Sequence, residues 1–558
     1  MLVNCRQLPN KRRTKEMKTR VMLINSPTMG DQRIGSDNYF PMGLMYMGTM
    51  LNEKKVAEVK IIDVNNYFYP YGKADFGWMQ REMDRPKNFP FVDEVVLETY
   101  FKDVLHPYIK NFKPDLIGFG AIFSGAFKGL RILAKEIKDI YPDLPIIIGG
   151  ITSTMFAREI LNKYNFIDFA TIGESENTLL EFVECLENNH QYDDIDGIVF
   201  RKNGKIIYNQ KTKYIQDLDS LPFPNYYLLH DLDGYKLDTS GWYDPKGLGI
   251  GQPHSILSSR SCPRQCTFCN MFLVHGRGIR YRTPVNVVDE IEYLYNEFGV
   301  RYFQFMDDNL TYDKNRMIEI CDLILKRNLN IQFDTPNGVA AFVLDPHVVD
   351  AMVDAGLVQV CVAIETGSEK IRNEVMKKGL KNEKIYEIVE SIAKHNHVMI
   401  KGFFIIGMPE ETHETLEETF TMIKELPLDK IGVFFATAYP GTELFEFCRK
   451  NNLLEYSVRD MVDIVDLQHE ADRPHFKPFE LEKEDLVKAQ KLFRDFHDNR
   501  RKELAPDLPD NHPMRYKKYD PHKYHLKYKD IKSPLYKEYV HKIRKPEYGS
   551  YIFPEVHM

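Results

Sequence analysis

The chain has 558 residues and a mass of 65.4 kDa, with 43% apolar and 28% charged side chains and near-equal Gly and Pro counts of 32 and 30. That is ordinary globular material, enough for about two to four domains, and it excludes collagen, low-complexity disorder and a membrane bundle. The net charge of −7, from 74 basic and 81 acidic residues, is too balanced for nucleic acid or an anionic membrane to be the main partner.

Residues 1–19 form a basic polar tail (RQLPNKRRTKEMK) without the apolar core of a signal peptide, and no membrane-length apolar run is free of charge. The expectation is a cytoplasmic protein with no membrane span. Residues 20–190 alternate β-rich runs (VMLINSP, VKIIDVN, DLIGFGAIF, LPIIIGGI, FATIGE) with amphipathic helical stretches, interrupted after VKIIDVN by an insertion rich in aromatics and charge. Such alternation predicts βαβ units, a parallel sheet and ligand binding outside the strands' carboxyl ends. Those ends carry Ser26 and Pro27, Gly120 to Ser124, Gly149, Gly150 and Thr152, and Gly173 with Glu174. Glycines there also serve plain strand-to-helix turns.

Residues 191–250 read as a linker containing a hairpin that turns at Asn203-Gly204. From 251 to 445 the alternation resumes through HSILSS, YFQFMDD, IQFDTPNG, QVCVAIETGS, IKGFFIIGMP and IGVFFATAYPG, which predicts six strands of a partial or full (βα) barrel. The remaining 446–558 form a mixed C-terminal extension. Its residues 511–550 hold eleven Lys/Arg against four Asp/Glu, interleaved with seven tyrosines. That pattern suits single-stranded nucleic acid, but it suits a solvated extension wrapping a domain better.

Of the eight cysteines, Cys5, Cys185, Cys321, Cys361 and Cys448 stand alone and read as small buried apolar residues. Cys262, Cys266 and Cys269 cluster in SCPRQCTFCN, directly after the first strand of the second half. A closed zinc site needs a fourth ligand, which neither the distant Cys321 nor His254 and His275 supplies in a zinc pattern. Three thiolates on a 4Fe-4S cube leave one iron without a protein ligand, a place for a substrate.

CPRQCTFC, with Phe268 before the last cysteine, resembles the loop of radical S-adenosylmethionine (SAM) enzymes. The resemblance implies that Cys262, Cys266 and Cys269 hold a 4Fe-4S cluster whose open iron is chelated by SAM, and that SAM is cleaved to a 5′-deoxyadenosyl radical. FMDDN (Asp307, Asp308, Asn309) resembles the segment whose backbone meets the SAM amino group, although the same residue types cap helices. ETGS implies Glu365 and Ser368 near the ribose or methionine. GFFIIGMPEE implies Ile405 and Gly407 at adenine, with Phe403 where a glycine often stands, and AYPGTEL adds Tyr439 and Pro440.

An α/β domain ahead of such a barrel resembles the cobalamin-binding subfamily, on the strength of NSP, PMGLMYMGTML, PDLIGFGAIFS, PIIIGGITST and TIGESENTLLE. The implied fold is an N-terminal Rossmann-like cobalamin-binding domain, a radical SAM partial (βα)6 barrel and the extension. Implied cobalamin contacts are Ser26, Pro27, Gly43, Gly120, Phe123, Ser124, Gly149, Gly150, Thr152, Gly173 and Glu174. The D-x-H-x-x-G motif that brings a histidine to cobalt is absent; DFHDNR around His497 lacks its glycine. A residue of the 120–124 loop, or water, then faces the lower side of cobalt.

The function so implied is methylation of an unactivated carbon of a small molecule, with flavodoxin or ferredoxin as electron donor. Alternatives are a cobalamin-dependent radical SAM cyclase or rearrangement enzyme without methyl transfer, such as one forming a tetrapyrrole ring, and a non-catalytic corrinoid or redox sensor.

Overall fold

A computed structural model describes residues 19–27, 39–68, 94–122, 124–188, 190–232, 235, 243–339, 341–462 and 473–504. The basic tail up to residue 18, most of the aromatic insertion, Phe123 and the Tyr/Lys-rich tail lie outside them. The chain divides into two compact units. One comprises Met1–Asp238, Met271–Gly276 and Tyr456–His469; the other comprises Thr239–Asn270, Arg277–Glu455 and Glu470–Met558.

The first unit is built on a seven-stranded sheet. Its strands are β1 (Thr19–Asn25), β2 (Ala57–Asp63), β3 (Leu116–Gly120), β4 (Ile146–Gly149), β5 (Phe169–Thr171), β6 (Ile198–Lys202) and β7 (Lys205–Tyr208). The order is β2-β1-β3-β4-β5-β6-β7, with β1 to β5 parallel. Val21, Met22, Leu23 and Ile24 of β1 are all buried, as a strand covered on both faces by helices requires. Helices Met42–Glu53, Ser124–Ile140, Ile151–Lys163 and Glu176–Asn188 follow β1, β3, β4 and β5. Because the order reverses between β1 and β3, a crevice opens outside their carboxyl ends. Within the insertion after β2 the described parts are helical: Val64–Phe68, then Glu94–Tyr100, a π turn Phe101–Leu105 and His106–Phe112.

The hairpin expected inside a linker is part of this sheet. Asn203 (φ 50°) and Gly204 (φ 75°) make its turn, and β6 pairs antiparallel with β5. Ile198, Val199 and Phe200 are buried, so the hairpin both hides apolar surface and satisfies the β5 edge, which a linker would leave open.

The second unit carries a six-stranded parallel sheet of β8 (His254–Ile256), β11 (Tyr302–Phe305), β12 (Gln332–Val339), β13 (Leu357–Glu365), β14 (Met399–Ile406) and β15 (Lys430–Phe435). They lie in the order β15-β14-β13-β12-β11-β8. A two-residue ladder, β9 (Ser259–Arg260) with β10 (Arg280–Tyr281), brackets the cysteine loop. This is a partial barrel, with at least one helix between successive strands and β8 and β15 as its edges. Helix Lys483–Leu504 covers the β15 edge: Gln490 Nε2 (2.9 Å) and Arg494 Nη2 (3.2 Å) both donate to the Val433 carbonyl. Phe420 and Phe493 stack beneath it at 5.1 Å. His497 is fully buried, with Nε2 3.2 Å from the Leu428 carbonyl, and so belongs to this packing. Cys321, Cys361 and Cys448 are core residues, and burial pushes the thiols of the latter two up to about 12.

Gly150 opens helix Ile151–Lys163 at φ 98°, and a Cβ there would lie 2.4 Å from the Ala121 carbonyl oxygen. Gly150→Ala is therefore expected to lower stability by about 2 kcal/mol, read as a reduced urea midpoint; an unchanged midpoint contradicts the packing described.

Candidate functional site

Between Cys262 and Asn270 the chain has no helix or strand, and neighbouring strand ends hold it. Asp307, just past β11, accepts hydrogen bonds from Ser258 Oγ (2.7 Å) and Ser259 Oγ (2.5 Å). Asp308 accepts from the Ser261 amide at 3.1 Å, which secures Ser261 in the left-handed region at φ 71°. Asn309 donates from Nδ2 to the Cys262 sulfur at 3.4 Å. Further on, the Thr267 amide and hydroxyl bond the carbonyls of Met376 (3.0 Å) and Val375 (2.8 Å), and the Leu444 amide donates to the Thr267 carbonyl. The Cys269 amide closes a turn onto the Cys266 carbonyl at 3.2 Å.

Burial pushes the Cys266 thiol up to about 11, with Lys378 and Arg264 pulling the other way. A metal centre would thus have to supply the deprotonation itself. Among the described residues no three or more His, Cys, Asp or Glu form a group able to hold a metal ion. Cube thiolates bind separate irons and need not converge on one point, so the test of fit rests on the donor set: three half-buried thiols on one anchored loop. That set suits the cluster.

Around the loop, β13 ends in Glu365 at φ 70°, its carboxylate paired with Lys378 in a buried ion pair. Arg372, fully buried, bonds the carbonyls of Ile364, Thr366 and Leu380 and the Asn382 side chain, so the Thr366-Gly367-Ser368 turn is fixed from below. Ser368 is buried within it. On β14, Lys401, Phe403 and Ile405 share the half-exposed face, while Gly402, Phe404 and Ile406 are buried on the other. Phe403 meets Phe434 of β15 edge-on at 5.8 Å. After β14, the amides of Gly407 and Met408 both donate to one oxygen of Glu411. Tyr439 is half-buried and Pro440 buried; the Tyr439 carbonyl takes the Thr442 amide and hydroxyl at the start of helix Glu443–Lys450. Phe268 is half-buried on the loop.

In the first unit an open cleft sits at the reversal point, its lining including Asn25, Gly43, Gly120, Ile122, Gly149 and Gly150. It is nearly all apolar, the kind of wall that a large flat ligand needs. A Cβ on Gly149 would come within 2.8 Å of Thr171 Oγ1, so the open wall exists because side chains are missing there. At the strand ends Ser26 Oγ and Thr152 Oγ1 are buried without a hydrogen-bond partner, and neither residue lines the cleft itself. This cradle of glycines and apolar side chains suits the flat face of a corrinoid. Pro27 is buried beside Ser26, and Ser124 begins its helix with its side chain outside the described residues. The Gly173 amide donates to Thr154 Oγ1 at 3.0 Å.

One residue expected at the cobalamin, Glu174, has its carboxylate engaged within the unit. Both oxygens of Glu174 are engaged, by the Ile215 amide (3.1 Å) and by His275 Nδ1 (3.1 Å), because its buried carboxylate needs partners within its own unit. The Asp307 carboxylate is occupied by the serines, and the contact expected of its segment is through the backbone. Sequence reading missed Lys378, Arg372 and Glu411; no local spacing marks them.

Residues 256–423 match the Radical SAM superfamily and residues 92–183 the B12 binding domain. The chain is 30% identical to an uncharacterized methyltransferase of Pyrococcus horikoshii, covering 78% of this chain and 84% of that one. It is 26% identical to an anaerobic magnesium-protoporphyrin IX monomethyl ester cyclase of Rubrivivax gelatinosus, over 74% and 71% of the two. The cobalamin-dependent S-adenosylmethionine radical enzyme OxsB superposes with a TM-score of 0.63 at 16% identity, over 88% of this chain and 69% of OxsB.

Burial raises the Glu411 carboxyl to about 8. Its folded value exceeds its unfolded one, so its contribution to stability is full below the unfolded value and is lost as pH rises through about 8. Glu411→Gln keeps an acceptor for both amides and removes that loss. The melting temperature of the unsubstituted protein, relative to this variant, is expected to fall between about pH 5 and pH 9; a pH-independent difference contradicts it.

Proposed function

The chain belongs to the cobalamin-binding radical SAM enzymes, and from that premise we propose that it methylates an unactivated sp³ carbon of a small-molecule substrate. The observation that carries methylation is the 30% identity across 84% of a relative named as a methyltransferase.

Cys262, Cys266 and Cys269 would hold the 4Fe-4S cluster, leaving one iron for SAM. When bound, cluster and SAM supply a 5′-deoxyadenosyl radical, and cobalamin supplies the methyl group. The chain's own residues hold and orient these groups. The backbone at Asp307 and Asp308, together with the unpartnered Asn309 Oδ1, offers acceptors to the SAM ammonium. Glu365 and Ser368 face the ribose or methionine, while Phe268, Ile405, Gly407, Tyr439 and Pro440 wall the adenine and exclude water. In the first unit Ser26, Pro27, Gly43, Gly120, Gly149, Gly150, Thr152 and Gly173 cradle the corrin, with apolar Ile122 in the cleft wall. A flavodoxin- or ferredoxin-type donor supplies the electrons. Among the described residues no helix is long and apolar enough to cross a membrane, and we place the enzyme in the cytoplasm.

A second reading is favoured by the cyclase relative: hydrogen removal and ring closure without methyl transfer. Product mass separates the two. Methylation requires S-adenosylhomocysteine and 5′-deoxyadenosine to accumulate together with a product heavier by one methylene, whereas 5′-deoxyadenosine with an unmethylated product overturns it. Cys266→Ala is expected to abolish SAM cleavage and lower bound iron. Thr152→Val should weaken cobalamin retention about tenfold, roughly one buried hydrogen bond, in equilibrium dialysis; equal retention removes Thr152 from the site.

A further inference from the structure

We propose that Asn309 sets the reduction potential of the cluster by donating a hydrogen bond from its side-chain amide to the Cys262 sulfur. The proposal rests on the reading of Cys262 as a cluster ligand. Nδ2 stands 3.4 Å from Sγ, and Asn309 is only 1% exposed. Among the described residues that sulfur is the side chain's one hydrogen-bond partner, since Oδ1 is buried with none. An asparagine serving only the fold would pair its oxygen as well.

The amide has one sensible orientation. A thiolate only accepts, so the NH₂ group must face sulfur, and the carbonyl oxygen would be repelled from it. Its aim is fixed by its neighbours: Asp307 is tied to Ser258 and Ser259, and Asp308 to the Ser261 amide, so the three consecutive side chains meet the loop in order. Adding an electron to a cluster puts more negative charge on its sulfurs. A buried N–H aimed at one of them stabilises the reduced state more than the oxidised one and raises the potential.

The test is EPR-monitored potentiometry on the anaerobically reconstituted full-length enzyme without SAM, comparing Asn309→Ala and Asn309→Asp with the unsubstituted protein. Both variants remove the donor, and the aspartate adds a negative charge. With iron and sulfide contents equal to the unsubstituted enzyme, both potentials are expected to become more negative, Asn309→Asp by the larger shift. Equal potentials in loaded variants overturn the role of Asn309 and leave the cluster assignment standing; an unsubstituted protein lacking iron and sulfide overturns the cluster assignment itself. Should neither variant load, pulsed EPR on the unsubstituted enzyme carrying asparagine labelled with ¹⁵N in the side chain decides. A nitrogen coupling to the reduced cluster supports the hydrogen bond, and its absence overturns it.

Discussion

The three cysteines lie on a stretch with no helix or strand of its own, and an unsupported loop of that kind would pay backbone entropy at every residue it had to fix. Here the order comes from outside. Asp307, Asp308 and Asn309 hold Ser258, Ser259, Ser261 and Cys262, and Thr267 is tied to Val375 and Met376, at the end of a second π turn (Ile371–Val375), and to the start of helix Glu443–Lys450. Burial of the Asp307 carboxylate raises its pKa, and the hydroxyls of Ser258 and Ser259 oppose that shift. Ser261 and Glu365, two non-glycine residues in the left-handed region, both lie at this site, where surrounding contacts hold them.

The same economy governs the rest of the second unit. Parallel strands bring their carboxyl ends to one rim, so residues far apart in sequence share a surface without long-range pairing of their own. The Arg372 guanidinium, pushed down to about 10 by burial, gathers the carbonyls beneath the ETGS turn. In the first unit the opposite device operates: at the reversal of strand order side chains are withheld, and the cleft is made of glycine and apolar walls.

What the sequence made legible follows from how far each interaction reaches. The alternation of apolar runs with helical stretches is local, and it located the strands of both sheets. The Asn203-Gly204 turn was equally local, but which sheet its hairpin would join depended on the open β5 edge. Strand ends pointed to the loops that carry the candidate residues, yet not to the work of each side chain. Asp307 and Asn309 reach partners 49 and 47 residues upstream, and Glu174 is met by Ile215 and His275, 41 and 101 residues away. Lys378 and Arg372 look like solvated charges in KIRNEVMKKG. They are buried because a carboxylate and a set of carbonyls wait for them.

The central claim is that three thiols leave one iron of a cube free for SAM. Electron-nuclear double resonance on the reduced, anaerobic enzyme, with SAM carrying ¹⁵N at its amino group, tests it directly. A nitrogen coupling typical of direct iron ligation is predicted. A reduced cluster that shows none while SAM is bound would contradict the account.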